Sequence, residues 1–402
     1  MCVAMKATAM PDAFLLPSIE PLPESGLPPK AELGRYLFHD VRLSRFGNRS
    51  CALCHAPDLG WTNRFARTPD IHGQATVLNT PALLNVADYD VFMQAKPGLT
   101  SLTATIALPL FSHAPEEMGM TPSLLQQRLN ESNTLYAPLF DAAFGEEPET
   151  ASELKAKKLF TAENTIDALV AYVSTIRSTD TVYHRFIAGD KSALSVDQQR
   201  GLALFQSDRL ACSQCHSGRL LNTPIEYQVS RYHRYANTGL YSEAAYLHSA
   251  DAFPLATGLQ AVTGKWSDNG KFRIPSLIDV ANTGPWGHDG SVTQLSHVVD
   301  NYAAGGRVIT VGPKQGDGRA HPAKDSRIQG FTLSSQDKQD LLAFLQALSI
   351  PRMDTQPVHT TPFCKLIPLK NKQDPTPCIP AFDYQKQQYQ NKKKSDANEN
   401  ND

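Results

Sequence analysis

Apolar residues recur at helical spacing in two similar stretches of the chain, ELGRYLF at residues 32–38 and QRGLALF at residues 199–205. The apolar positions are Leu33, Tyr36 and Leu37 in the first stretch and Leu202, Leu204 and Phe205 in the second. Such spacing gathers apolar side chains on one face of an α-helix. We therefore predict two amphipathic helices of the same character, and with them an internal duplication of one helical unit.

A second pair of apolar patterns predicts the helix that closes each unit. Residues 150–180 indicate one long helix, and its regular portion opens at Thr161, followed by Glu163. The apolar face of this helix carries Ile166, Leu169, Val170 and Val173. Residues 333–350 give the matching helix, with Ser334 or Ser335 as its N-cap and Pro351 as its stop. Its buried side consists of Leu341, Leu342, Phe344, Leu345 and Leu348.

Each helix of the first pair leads into a Cys-x-x-Cys-His pattern. The two patterns are Cys51-Ala-Leu-Cys54-His55 and Cys212-Ser-Gln-Cys215-His216. This is the attachment signature of a c-type haem, in which both thiols bind the porphyrin covalently and the histidine ligates the iron. Two Cys-x-x-Cys pairs also suit a zinc site, but such a site gives no reason for a histidine after each pair. We therefore predict two covalently bound haem c groups.

No alternating β pattern of useful length occurs, so we predict an all-α fold, and a length of 402 residues suggests two domains. We expect an extended N-terminal arm at residues 1–28 and haem domains at residues 29–185 and 186–352. Residues 353–402 form a Pro-rich, then polar, tail whose end should be disordered.

Charge and composition narrow the partners and the compartment. The formal net charge of −2 does not indicate a nucleic-acid-binding surface, and no apolar run is long enough to cross a bilayer. Bacteria attach haem covalently outside the cytoplasm, so we expect a periplasmic protein, although no signal peptide is evident in this sequence. Cys364 and Cys378, in the Pro-rich tail, can form a disulfide in such an oxidising compartment.

Together with the two haem motifs, three further segments resemble the bacterial di-haem cytochrome c peroxidases and their MauG-type relatives. These segments are LNTPALLNVA, PLFSHAPEEMGM and FRIPSLIDVANTGPWGHDGSVTQLSHVVDNYAAGG, and the resemblance covers about residues 29–350. It implies two cytochrome c-like domains that face each other across a cleft. It also implies a peroxidatic haem in the N-terminal domain and an electron-transfer haem in the C-terminal domain.

The resemblance assigns the far-side ligand of the second haem. In the peroxidases a methionine follows the histidine of His-Asp-Gly by fourteen residues; here Tyr302 stands fourteen residues after His288, as in MauG-type proteins. No methionine occurs between Met120 and Met353. A phenolate ligand would stabilise the ferric and higher oxidation states. His297 is the competing ligand, and a tyrosine packed in the core is the other interpretation of Tyr302.

The resemblance also places catalytic residues at the first haem. Glu117, in PEEMGM, matches the family's acid–base glutamate, while its neighbour Glu116 is expected on the surface. The alternative for Glu117 is a carboxylate near the start of the next helix. His72 lies near the position of a removable iron ligand in the peroxidases, and a surface histidine is the alternative.

Two further features concern the contact between the haems. Positions that match the family's calcium ligands are Asn79, Thr283 and Pro285, so the resemblance implies one calcium ion. Where the family usually has a tryptophan between the haems, this chain has Gln94 or Ala95. An indole can relay an electron and an amide cannot, so we expect slower transfer between the haems. The aromatic residues that can substitute are Phe92, Tyr89 and Trp286.

Three functions compete. The first is the reduction of hydrogen peroxide at the N-terminal haem, with electrons delivered through the C-terminal haem by a small redox protein (a cytochrome c or a cupredoxin). The second is a MauG-like reaction that uses peroxide to oxidise a tryptophan or another residue of a partner protein. The third is non-enzymatic electron transfer, which needs no acid–base group over an open iron.

Overall fold

The structure is a computed structural model that describes residues 25–145, 158–224, 231–248, 254–354 and 356–363. Most of the predicted N-terminal arm and the Cys364–Cys378 pair lie outside these residues.

Helices dominate the described part of the chain. The α-helices are α1 (Pro29–His39), α2 (Cys51–Cys54), α3 (Leu102–Phe111), α4 (Pro122–Glu131), α5 (Asn133–Phe144), α6 (Ala162–Val173), α7 (Val182–Ile187), α8 (Val196–Gln206), α9 (Cys212–Cys215), α10 (Glu243–Leu247), α11 (Gln260–Thr263), α12 (Leu295–Ala303) and α13 (Ser335–Gln346). Short 3₁₀ turns lie at Val41–Leu43, Pro57–Leu59, Val86–Asp88, Arg231–Arg234, Trp266–Asp268 and Gly318–Ala320. Within the residues described, every helix is too short or too polar to span a lipid bilayer.

The β-structure of the described residues consists of two small antiparallel sheets. Strand β1 (Tyr235–Ala236) pairs with β2 (Phe272–Arg273), and β3 (Val308–Ile309) pairs with β4 (Gly316–Asp317). The described part of the chain is therefore helix-rich with two small sheets, which agrees in part with the prediction of an all-α fold.

The two halves repeat one helix crossing. Helix α1 packs on α6, and a Cβ atom added to Gly34 would lie 1.9 Å from the Ala168 carbonyl oxygen. Helix α8 packs on α13 in the same way, since a Cβ atom on Gly201 would lie 1.9 Å from the Asp340 carbonyl oxygen. Only glycine, which has no Cβ atom, allows the two helix backbones to approach this closely. ELGRYLF and QRGLALF are thus equivalent segments in space as well as in sequence.

The closing helices begin where the sequence predicts. The Thr161 hydroxyl accepts a hydrogen bond from the Asn164 amide at 3.1 Å, and the Ser334 hydroxyl accepts one from the Asp337 amide at 3.0 Å. Each caps its helix by satisfying a free N–H group of the first turn. Helix α13 ends at Gln346, before Pro351.

The prediction of one helix through residue 180 was wrong. Helix α6 ends at Val173, and α7 starts anew after the N-cap Thr181. Asn85 is the physical cause, because its backbone amide donates to the Ile176 carbonyl at 2.8 Å and its side chain bonds both polar groups of the Ser178 backbone. These long-range bonds replace the helical ones.

Two large hydrophobic clusters form the core. The first is built from α1, α5, α6 and the segments between them, and the second from α8, α13 and neighbouring loops. Leu220 and Ile278, from the C-terminal half of the chain, belong to the first cluster. The two halves therefore share buried surface close to both Cys-x-x-Cys-His turns.

Candidate haem sites

Each Cys-x-x-Cys motif forms a single helical turn. In α2 the His55 amide donates to the Cys51 carbonyl at 2.9 Å, and in α9 the His216 amide donates to the Cys212 carbonyl at 2.9 Å. The four motif cysteines are half-buried and form no disulfide. No group of three or more His, Cys, Asp or Glu side chains that could hold a metal ion occurs among the described residues. The two cysteine pairs thus do not meet to form a zinc site.

A backbone carbonyl orients each motif histidine. The Trp61 carbonyl lies 3.1 Å from Nδ1 of His55, and the Leu221 carbonyl lies 2.9 Å from Nδ1 of His216. Such a bond places the proton on Nδ1 and the lone pair on Nε2, the nitrogen that can bind iron. Burial lowers the pKa of His55 to about 4 and also lowers that of His216, so both imidazoles are neutral, the form that can bind a metal ion.

A cavity of about 630 Å³ adjoins the second motif and is here called the second cavity after that motif. Its size suits a haem-sized group. Cys212, Cys215 and His216 line it, and Tyr302 enters it from α12. Burial and, to a lesser extent, the neighbouring Cys215 and Cys212 raise the pKa of Tyr302. His297, on the same helix, is exposed. Of the two candidate ligands, Tyr302 is therefore the one that the fold directs to the cavity.

Glu117 lies beside the first motif. Burial raises its pKa, and the cations Arg49 and Lys96 partly oppose that shift. Burial likewise raises the pKa of the Cys54 thiol to about 12, and the negative charge of Glu117 adds to the effect. Cys51 also interacts with Glu117. The carboxylate therefore lies within electrostatic range of both attachment thiols.

The backbone that carries Glu117 is fixed on both sides. The Met118 amide donates to the Pro109 carbonyl at 3.0 Å, and the Met120 amide donates to the Leu110 carbonyl at 2.9 Å. The Arg45 amide donates to the Met118 carbonyl at 2.8 Å. Glu117 thus belongs to a segment anchored to α3 and to the loop before the first haem motif.

Glu116 and His72 form a surface pair. Nε2 of His72 lies 2.8 Å from a carboxylate oxygen of Glu116, whose other oxygen accepts from Arg45 at 3.3 Å. The His72 side chain is 46% exposed. In this structure His72 is a surface histidine, and the prediction that it is a removable iron ligand gains no support.

The three predicted calcium ligands come from both halves of the chain and line the same cavity. Asn79, Thr283 and Pro285 all line the 630 Å³ cavity. The Asn79 side-chain nitrogen donates to the carbonyls of Phe65 and Ala66 at 2.9 and 3.1 Å, so its side-chain oxygen is the atom that could face a cation. This donor set, one amide oxygen with nearby carbonyls, suits a hard cation such as Ca²⁺.

Gln94 occupies the region between the halves. Its side-chain nitrogen donates to the Asn79 carbonyl at 3.1 Å, while its buried side-chain oxygen has no hydrogen-bond partner in the described part of the chain. Tyr89 and Trp286 also line the second cavity, and the Arg273 guanidinium lies 4.8 Å from the Tyr89 ring centroid. That cation disfavours a positive charge on the Tyr89 ring, so Trp286 is the better substitute for the absent tryptophan.

Sequence reasoning missed several residues at these sites. His288 lines the second cavity, stacks on Phe272 at 3.8 Å, and has a buried Nε2 without a partner. Arg49 donates to the carbonyls of Pro69 and Asp70 at 2.8 and 2.6 Å beside Glu117. His288 stands in the His-Asp-Gly segment and thus had a local signal, whereas Arg49 had none.

Comparison with known proteins gives the same family as the motifs. The family model described as di-haem cytochrome c peroxidase matches residues 28–192. The methylamine utilization protein MauG of Methylorubrum extorquens is 32% identical over 343 residues, which is 85% of this chain and 84% of that protein. The cytochrome-c peroxidase IdrP1 of Denitromonas iodatirespirans is 31% identical over 394 residues, 90% of this chain and 93% of that protein.

A solved structure shares the fold. The crystal structure of a MauG-like protein associated with microbial copper homeostasis superimposes with a TM-score of 0.74 at 31% identity, over 87% of this chain and 99% of that one. The chain therefore belongs to the di-haem cytochrome c peroxidase and MauG family, and it is a peroxide-dependent haem oxidoreductase.

Proposed function

We propose that the protein reduces hydrogen peroxide at a haem held by Cys51, Cys54 and His55, with electrons that arrive through a second haem. The observation that carries this proposal is the position of Glu117, a carboxylate with a raised pKa beside the first pair of attachment thiols. Breaking the O–O bond requires a proton to move from one oxygen to the other, and a fixed carboxylate can move it.

The residues of the first site have separable tasks. A bound haem supplies an iron that accepts an oxygen ligand and exchanges electrons. Glu117 takes a proton from the near oxygen of peroxide and returns it to the leaving oxygen as water. Overall, peroxide, two electrons and two protons give two water molecules. Arg49 holds the surrounding loops in place and limits the rise in the pKa of Glu117.

The second haem site would store redox equivalents. We infer that Cys212, Cys215 and His216 hold the second haem and that Tyr302 is its far-side ligand, a role supported by its place in the cavity. Burial disfavours the phenolate of Tyr302, so only a strong positive charge such as ferric iron would favour its deprotonation. Both haems would be attached after export, so we place the protein in the periplasm.

A calcium ion bound by Asn79, Thr283 and Pro285 would join the two halves. If an ion is bound at this position, a chelator should shift the visible spectrum of the second haem. Added Ca²⁺, but not Mg²⁺, should restore the spectrum. A spectrum unaffected by chelation would contradict the site.

Steady-state kinetics test the peroxidase activity. A reduced cytochrome c or cupredoxin should be oxidised by peroxide, and Glu117→Gln should lower the rate by about 10²–10⁴-fold. Glu116→Gln is the matched control, because this neighbour lies in the surface pair with His72 and should retain the rate. Absence of turnover with either class of donor, even after pre-reduction, would refute the proposal.

The second candidate is oxidation of a residue in a partner protein. Tyr302 in the second cavity favours it, as does similarity to the MauG-like protein associated with copper homeostasis. Mass spectrometry of a partner encoded beside this protein, before and after peroxide, would test it. An unmodified partner would exclude this reaction.

The far-side ligand has its own test. Tyr302→Phe should change the near-infrared and resonance Raman spectra of the second haem, because it removes the phenolate oxygen. His297→Gln, on the exposed face of the same helix, should leave both spectra unchanged. An unchanged spectrum in Tyr302→Phe would refute the assignment.

A further inference from the structure

Four buried side chains with polar aromatic rings meet behind the first haem motif. They are His39, Trp61, Tyr172 and His359, here called the inner polar cluster. The Trp61 ring centroid lies 5.1 Å from that of His359 and 6.5 Å from that of Tyr172. The centroids of His39 and Tyr172 are 6.3 Å apart. Three of the residues come from α1, α6 and the loop after His55, and the fourth comes from the segment after α13.

Every member of the inner polar cluster has a buried polar atom that has no hydrogen-bond partner among the residues that the structure describes. The four atoms are His39 Nε2, Trp61 Nε1, the Tyr172 hydroxyl and His359 Nδ1. An unpaired buried polar group costs about 1–3 kcal/mol, so a cluster of four is expensive if it serves packing alone. Such a concentration calls for a functional explanation.

The second half of the chain shows that the same helix crossing can form without these buried polar groups. Equivalent helix crossings pair Phe38 with Tyr172 at 5.2 Å in the first half and Phe205 with Phe344 at 5.1 Å in the second. Phenylalanine thus replaces tyrosine at the same point of the repeat. A backbone carbonyl orients the motif histidine in both halves. It belongs to Trp61 in the first half and to Leu221, which has no polar side-chain atom, in the second.

Trp61 is connected to the first haem site through its backbone. Its carbonyl oxygen is the one that lies 3.1 Å from Nδ1 of His55. Trp61 is 1% exposed and has a φ of +63°, an unusual conformation for a bulky side chain. The fold therefore buries this indole, despite local strain, on the residue whose carbonyl contacts the motif histidine.

The two histidines of the cluster can accept a proton. Burial is the main cause that lowers the pKa of His39 to about 3 and that of His359 to about 4, and the charge of Arg35 adds to both shifts. Both imidazoles are therefore neutral at physiological pH. An indole that loses an electron becomes acidic, and a neutral imidazole in ring contact with it can take the released proton.

We propose that Trp61 donates an electron to the first haem after hydrogen peroxide has oxidised that haem and no electron arrives from the second haem. Trp61 loses one electron to the haem, which is reduced by that electron, so that charge and atoms balance. The Nε1 proton of the oxidised indole can then pass to His359, in ring contact with it, when the two nitrogens come within hydrogen-bond distance. The indole then holds the oxidising equivalent, and Tyr172 is placed to share it. This inference rests on the proposed reaction with peroxide at the first haem.

Freeze-quench electron paramagnetic resonance tests the proposal. The haem-loaded, oxidised protein is mixed with hydrogen peroxide in the absence of any electron donor. We expect a tryptophan radical whose signal narrows when the protein carries ring-deuterated tryptophan. The signal should be lost in Trp61→Phe and retained in Trp266→Phe, since Trp266 lies in another cluster and donates to Glu243 at 2.7 Å. An unchanged signal in Trp61→Phe would overturn the proposal.

Two further measurements keep the test decisive. Mass spectrometry of the wild-type protein after repeated peroxide additions should find added oxygen on Trp61, and oxidation confined to Trp266 and Trp286 would overturn the proposal even if Trp61→Phe failed to fold. The visible spectrum separates the two hypotheses. No haem response to peroxide would refute the peroxidase function, whereas a normal response without a Trp61 radical would refute only this inference.

Discussion

Glu116 and Glu117 are neighbours in sequence, but their carboxylates lie in different surroundings. Glu116 pairs with His72 and Arg45 at the surface, and these partners lower its pKa, His72 being the largest contributor. Burial raises the pKa of Glu117 beside Cys54. The raised pKa brings this carboxyl closer to the pH at which it can both accept and donate a proton, as acid–base catalysis requires.

The pH dependence of the peroxidase rate follows from the raised pKa of Glu117. The carboxylate form is the base, so activity should fall as the pH decreases through this pKa. Because the pKa is raised, the fall should begin at a higher pH than a free glutamate would give. Rate measurements across the acidic range would check this. Glu116→Gln should preserve the profile, and the same profile in Glu117→Gln would contradict the assignment.

At the scale of elements, each haem motif is supported by a pair of crossed helices. The α1–α6 and α8–α13 crossings depend on Gly34 and Gly201, where the facing backbone leaves no room for a side chain. Capping by Thr161 and Ser334 fixes where the closing helices begin. Helix position, and through it the position of each Cys-x-x-Cys-His turn, is therefore decided by a few small residues.

Gly34→Ala and Gly201→Ala should each destabilise the protein. The added Cβ atom would overlap a backbone carbonyl oxygen, and such overpacking costs about 1–3 kcal/mol or more. Thermal unfolding of the haem-loaded protein measures the loss. Gly98→Ala is the control, because nothing lies within 4 Å of its added Cβ atom. Equal melting temperatures for all three variants would show that the crossed helices can move apart without loss of stability.

Ser334→Ala should lower the free energy of unfolding by about 1 kcal/mol, because the Asp337 amide loses its cap. Ser335→Ala, one residue further into the helix, should have little effect. Chemical denaturation of the two variants would distinguish them, and equal losses would contradict the assignment of Ser334 as the cap.

At the scale of the whole molecule, the contact between the halves determines how the two sites communicate. Gln94 bonds the Asn79 carbonyl at 3.1 Å, and its carbonyl accepts from the Arg273 amide at 2.8 Å. These bonds are polar, and Gln94 itself offers no oxidisable ring. The inner polar cluster, by contrast, contains an oxidisable ring, that of Trp61, whose backbone carbonyl contacts His55.

Gln94→Trp should speed electron transfer between the haems, because it restores an oxidisable ring between the halves. Flash-reduction kinetics of the wild type and the variant would measure the effect. Gln94→Leu, which adds no redox-active group, should transfer electrons at the wild-type rate. A wild-type rate already as fast as that of Gln94→Trp would show that another residue, such as Trp286, carries the electron.

The sequence by itself determined the local features of this protein. Covalent attachment requires two thiols and a histidine at fixed spacing, so both haem motifs were evident, and the helix caps and the duplicated helix were evident for the same local reason. The break of the helix after Val173 was not evident, because it results from hydrogen bonds to Asn85, far away in sequence.

Only the tertiary structure decided which side chains are buried together. It separated Glu117 from Glu116, placed His72 at the surface, and turned Tyr302 rather than His297 into the second cavity. It also assembled the inner polar cluster, whose four members come from separate parts of the chain. Burial and pKa depend on which segments pack on a residue, and those segments meet only in the folded chain.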